Sequence, residues 1–190
     1  MAKCFDVVGY VEPCNAVRQK YTGRALLIIN DGEGGKNVIT FSENGLKVTA
    51  ISDKSNFAEF IGKKLPITID AENPFGVTVQ GNTESGRTMY TKTIPVSIPA
   101  TRDGKAEEFI MGLQKGLSID AMILLETFGD SDENDIFGAY SPVRLDTTSV
   151  TRSEYENGGA WQLNLVCDEP VPNVICTVTG LKTALDDLNA

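Results

Sequence analysis

The sequence predicts a mainly β fold: an antiparallel β-sandwich or barrel with one flanking α-helix over about 103–115. Three observations carry this expectation. Short apolar runs recur along the chain, several in strict period-two alternation. Turn residues punctuate them at short intervals. Only one segment, ATRDGKAEEFIMGLQKGLS, has a helical stripe, at Ala106, Phe109, Ile110 and Leu113.

Taken in order, CFDVVGYV (4–11) reads as the first strand, ALLIIN (25–30) as the second and NVITF (37–41) as the third. DGEGGK between the last two reads as a hairpin turn. NGLKVTAIS (44–52) follows as a fourth strand. LPITIDA (65–71) places Leu65, Ile67 and Ile69 on one face, and FGVTVQG (75–81) alternates through Phe75, Val77 and Val79. RTMYTKTIPVSIP (87–99) is a long strand. Pro95 has no N–H to give a ladder, so that end belongs on an edge or at a bulge.

The helix follows. Thr101 or Asp103 is its expected N-cap, Glu107 and Glu108 suit the positive end of the dipole, and Lys115 and Gly116 mark its end. SIDAMILLETF and DIFGAY then form a hairpin with an acidic tip. RLDTTSVTRSEY (144–155) reads as polar on both faces. After the turn NGG, AWQLNLVCDE (160–169) turns Trp161, Leu163, Leu165 and Cys167 inward. ICTVTG and a short acidic tail follow. No repeat or linker interrupts the chain, and it is expected to be one β-rich domain, 1–190, with extended terminal arms.

Composition narrows the chemistry. The 190 residues include no histidine, which removes Ser-His-Asp and Cys-His catalysis and His-bound zinc. Cys4, Cys14, Cys167 and Cys176 form no CxxC pair and are expected as free thiols, with disulfides 4–14 or 167–176 as the alternative. A net charge of −9 argues against a nucleic-acid-binding surface. The opening MAKCFDVVGYVEPC has no basic-then-apolar signal pattern, and no apolar run approaches membrane-spanning length, so the expectation is a soluble protein made in the cytosol.

The tempting motifs each have a plainer reading. In GDSDENDIFG, Asp130, Asp132 and Asn134 fall at the first three ligand positions of a calcium loop. Asp135 stands where the loop needs glycine, Ser141 stands where it needs glutamate, and strand patterns flank it, so a hairpin tip is preferred over a metal site. NDGEGGKN resembles a phosphate-binding loop, but Asn30 and Asn37 replace the required Gly and Ser or Thr, and no helix follows. Trp161, Tyr140 and Tyr155 suggest an aromatic platform, yet Trp161 lies on the apolar side of its strand. Glu107 and Glu108 are adjacent on a helix and cannot flank one bond as a glycosidase pair must. The expectation is a protein that is not an enzyme and needs no cofactor or metal.

A β-rich chain with no chemistry and a two-sided polar strand is suited to assembly. The strand-to-helix unit IPVSIPATRDGKAEEFIMGLQKG, the hairpin ILLETFGDSDENDIFGAY and the closing TTSVTRSEYENGGAWQLNLVCDEPVP resemble, in order, the tail-tube proteins of tailed bacteriophages and the inner tubes of contractile injection systems. The resemblance implies a virion structural protein, made in the host cytoplasm. Its partners would be copies of itself in stacked hexameric rings and other virion proteins. DNA would be non-specific cargo in the lumen, and no membrane would be involved. It makes Asp130, Asp132, Glu133, Asp135, Thr147, Ser149, Thr151 and Arg152 intersubunit or lumen candidates. Phe57, Phe60 and Ile61, in DKSNFAEFIGKKL (53–65), become inter-ring loop candidates, with a short core-packing helix as the other reading. An acidic wall suits the passage of DNA, since it repels phosphate where Lys and Arg would hold it. A non-catalytic β-sandwich binding or adhesion module is the alternative, as is a connector or capsid accessory protein.

Overall fold

The computed structural model describes residues 21–29, 38–51, 63–68, 76–84, 86–100, 103–116, 121–127, 133–153 and 159–178. Among the described residues the fold is mainly β, with largely antiparallel sheets, no closed barrel and one helix. The elements are β1 (Tyr21–Ile29), β2 (Ile39–Phe41), β3 (Lys47–Ile51), β4 (Lys63–Thr68), β5 (Thr78–Glu84), β6 (Arg87–Pro99), α1 (Lys105–Gly116), β7 (Met122–Thr127), β8 (Asn134–Phe137), β9 (Arg144–Ser153), β10 (Ala160–Glu169) and β11 (Ile175–Cys176). Seven strands form one sheet in the order β2-β3-β11-β8-β7-β1-β4. Four form a second, β5-β6-β10-β9.

Period-two alternation explains the layering. In the large sheet, Ala25 and Leu27 of β1, Ile123 and Leu125 of β7 and Phe137 of β8 share a face. They pack with Ile94 and Val96 of β6, Leu145 of β9, and Leu163, Leu165 and Cys167 of β10. This layer is the sandwich core. The intervening residues Leu26, Ile28, Met122, Leu124 and Ile136 lie on the opposite face in a second cluster with Val48, Ile51, Val174 and Cys176. A strand buried on both faces reads as a continuous apolar run rather than an alternation, and all six residues of β7, MILLET, are buried. The charged residue of that run is held: Glu126 accepts from Arg24 Nε at 2.7 Å and Nη2 at 2.5 Å, and from the Thr22 hydroxyl.

The helix closes one side of the core. Ala106, Ile110 and Leu113 are buried, and α1 packs against β9. Phe109, expected in the same stripe, is only partly buried at its margin. Asp103 Oδ1 accepts the Lys105 N–H at 3.2 Å, which makes it the capping side chain; Thr101 lies outside the described residues.

Three sequence expectations are corrected here. DGEGGK lies outside the described residues, and the strands on either side of it do not form the expected hairpin: β1 pairs with β4 and β7, β2 pairs with β3, and four strands separate β1 from β2. β5 is not a half-buried strand, since all seven of its residues are exposed. The strand at 144–155 is not polar on both faces, because Leu145 is buried and Val150 packs on the core. Pro95 sits as proline chemistry requires. The β5 ladder ends at Thr78, opposite Thr93, so among the described residues no strand pairs with Pro95 on that side. The expected strand 4–11 lies outside the described residues.

Candidate assembly surface

Among the described residues, the four-stranded sheet ends in two long strands, each with one partner. Among the described strands β5 pairs only with β6, in unbroken register from Thr78 opposite Thr93 to Glu84 opposite Arg87. β10 reaches only as far as Tyr90 of β6, so among the described residues the ribbon tip beyond Tyr90 has no third strand. Its turn includes Gly86 at φ 78°, a left-handed conformation that glycine adopts without strain. Val79 and Met89 stand exposed on this ribbon.

At the other edge, β9 pairs with β10 alone among the described strands. The ladder runs Ser153, Thr151 and Arg152 against Ala160, Gln162 and Trp161, then breaks, and resumes with Asp146 opposite Asn164. Between Thr151 and Asp146 the β9 side carries four residues, 147–150, against Leu163 alone. Asp146 nucleates the insertion: its Oδ1 accepts the Thr148 N–H at 3.0 Å and the Thr148 hydroxyl at 2.7 Å. Those bonds hold the Asp146 carboxyl below the usual range. Ser149 fills the break. Its hydroxyl donates to the Asp146 carbonyl at 2.7 Å and accepts the Asn164 N–H at 2.8 Å.

Thr147, Thr151 and Arg152 are thus exposed along an open edge, and Arg152 lies 5.7 Å over the Trp161 ring. Trp161 in turn donates its indole N–H to Glu107 of α1 at 3.2 Å. Ser149 is engaged within its own chain. Asp168 ties the sheet together across three strands, accepting from Thr91 at 2.6 Å and Arg144 at 2.9 Å. Thr91 first, and then Arg144, hold its carboxyl below the usual range.

The acidic hairpin is formed as its pattern predicts, with β7 and β8 antiparallel and Leu124 opposite Ile136. Asp130 and Asp132 lie outside the described residues, as do Phe57, Phe60 and Ile61; the last three residues of the 53–65 segment belong to β4. Asn134 is buried and closes the hairpin by accepting the Thr127 N–H at 3.1 Å. Asp135 is a buried carboxylate, accepting from the Tyr21 hydroxyl at 2.6 Å and Asn173 at 3.1 Å. Burial and that carboxylate together raise the Tyr21 hydroxyl pKa well above its ordinary value. Glu133 pairs with Lys47 at 2.9 Å, both half-exposed. Asp135 is therefore no wall residue, whereas Glu133 remains at the surface.

Tyr140 is not part of an aromatic platform with Trp161. It stacks on Phe41 with centroids 4.4 Å apart and donates to the Gly45 carbonyl at 2.6 Å. Cys167 and Cys176 are free and buried in different clusters. Burial raises the first thiol to about 12, aided by the Glu169 charge, and the second to about 11. No family model, curated protein or solved structure matches the chain.

Proposed function

We propose that this protein is a virion structural protein whose copies pair edge to edge into rings, and that the rings stack into a tail tube through which DNA passes. The observation that carries the reading is that, among the described residues, β5 and β9 are edges with one partner each, on opposite sides of one four-stranded sheet. A sheet with two different free edges can add to itself head to tail, and ring closure then removes the edges. β5 offers an exposed, largely polar strand in unbroken register. β9 offers two regular stretches flanking the 147–150 insertion. Bulged edges resist indiscriminate pairing, so β9 accepts only a strand shaped to it. The net charge of −9 suits a lumen that must not hold DNA.

Negative-stain imaging and sedimentation velocity of the purified protein test this reading. Rings or tubes are the expected result. Strictly monomeric particles at every salt and at high protein concentration defeat it. They would move the reading to a binding module, with the groove of about 390 Å³ between α1 and residues 141–147 as its binding surface.

A further inference from the structure

Lys92 and Glu169 form a buried pair that edge-to-edge assembly does not use. Both side chains are wholly out of solvent, and Lys92 Nζ is in hydrogen-bond contact with Glu169 Oε2. β6 and β10 hold them as diagonal neighbours on the core face, since Lys92 stands opposite Cys167 and Glu169 opposite Tyr90. The other carboxylate oxygen, Oε1, accepts two backbone N–H groups from the end of β8, Gly138 at 3.0 Å and Tyr140 at 3.3 Å. The Phe137 ring lies 5.3 Å from Nζ. Gly138 makes the first donor available: it has φ 89°, and a Cβ there would meet the Ala121 carbonyl and Val143 at 2.7 Å.

These are the parts that amide formation needs. An amine is held against a carboxyl group by a rigid ladder, so the encounter is intramolecular. Two preorganised donors address the oxygen that becomes negative in a tetrahedral intermediate. Side chains exclude the water that would otherwise compete. We infer that Lys92 and Glu169 condense to an intramolecular isopeptide bond, Nζ to Cδ, which ties β6 covalently to β10.

The step balances without a co-reactant. One proton passes from Nζ to Oε2 along their hydrogen bond, and the freed lone pair attacks Cδ. The carbonyl electron pair moves to Oε1, where the Gly138 and Tyr140 N–H groups hold it. A second proton moves from nitrogen to Oε2. The carbonyl re-forms, the Cδ–Oε2 bond breaks, and water leaves. The environment favours the product as well. Two opposite charges are costly to keep in a dry interior, whereas the amide is neutral and its carbonyl oxygen inherits both N–H donors. The bond would strap the sheet that carries both open edges, although the inference stands on the pair itself and not on assembly.

The mass of the full chain, unfolded in denaturant with its thiols reduced, tests this. The expected result is a chain lighter than its sequence by one water, and a digest containing a branched peptide that joins the Lys92 and Glu169 segments. The Lys92→Arg variant keeps the cation without an amine able to condense and should lose the branch. Should that variant fail to fold, the wild-type digest decides alone. A wild-type chain with no branched peptide, or a water loss mapped to other residues, overturns the inference and leaves an ordinary ion pair.

Discussion

A buried charge is tolerated only while its partner remains, and Lys92 and Glu169 are both fully buried. Lys92→Met can neither pair nor condense, so it leaves the Glu169 carboxylate uncompensated; relative to a chain that holds the uncondensed pair it should cost about 3–5 kcal/mol. Adding Glu169→Gln removes the stranded charge and keeps an acceptor for the Gly138 and Tyr140 N–H groups. The double variant should therefore recover part of the loss, read as a rise in urea midpoint over Lys92→Met alone. Asp168 sets a pH dependence of known sign. Its folded pKa is depressed by Thr91 and Arg144. A depressed carboxylate contributes stability that is full above its unfolded pKa, about 3.9, and is lost as pH falls through the folded value. Asp168→Asn should lower stability at neutral pH and flatten the acid limb of the stability curve. An acid limb unchanged by the substitution would show that Asp168 does not shape it. Both charged groups could have been placed by parity. Lys92 shares its alternation with Ile94 and Val96, and Glu169 shares its own with Leu163, Leu165 and Cys167, so two charges were written into core positions. Their mutual contact, however, depends on the β6–β10 register, which no local pattern specifies.

At the scale of elements, the helix separates anchors from margin. Leu113→Ala should cost about 2–5 kcal/mol, because the side chain is 2% exposed. Phe109→Ala should cost less despite the larger side chain, since Phe109 is only partly buried. Equal losses in urea unfolding would place Phe109 inside the core. Strands with strong alternation or a tight turn were legible. β6 and β10 span the residues their patterns predict, and the β7–β8 hairpin forms under its acidic tip. Two kinds of information were not legible. Adjacency in sequence suggested that β1 pairs with β2, but the large sheet places four strands between them, and pairing at that range leaves no local mark. The polar appearance of 144–155 came from reading a uniform period across a ladder that breaks. The four-residue insertion shifts the parity, so Leu145 and Val150 both reach the core although an odd and an even position would face opposite ways in a regular strand. β5 carried a readable warning. TVQGNTE has one apolar residue and an internal glycine, which fits an open edge better than a half-buried strand.

For the whole molecule, the decisive quantity is the balance between pairing of open edges and repulsion among acidic copies. Each copy brings a net charge of −9, so the proposed ring would concentrate negative charge whichever surface lined its lumen. Salt weakens that repulsion, because the Debye length falls from about 30 Å at 0.01 M to about 10 Å at 0.1 M. Backbone hydrogen bonds across a strand edge depend far less on salt. Assembly should therefore increase with ionic strength, the reverse of contacts built on ion pairs. The edge itself can be tested without disturbing the core. Thr151 is exposed on β9, and lysine on an open edge strand opposes the addition of another strand. Thr151→Lys should shift sedimentation toward the monomer at every salt while leaving the melting temperature of the monomer near that of the parent. The same substitution lowers the net negative charge, so a purely electrostatic association would respond in the opposite direction and assemble more readily. Sedimentation velocity of both proteins across one salt series separates the two causes. Assembly that falls as salt rises, or that Thr151→Lys strengthens, would reject edge pairing through β9.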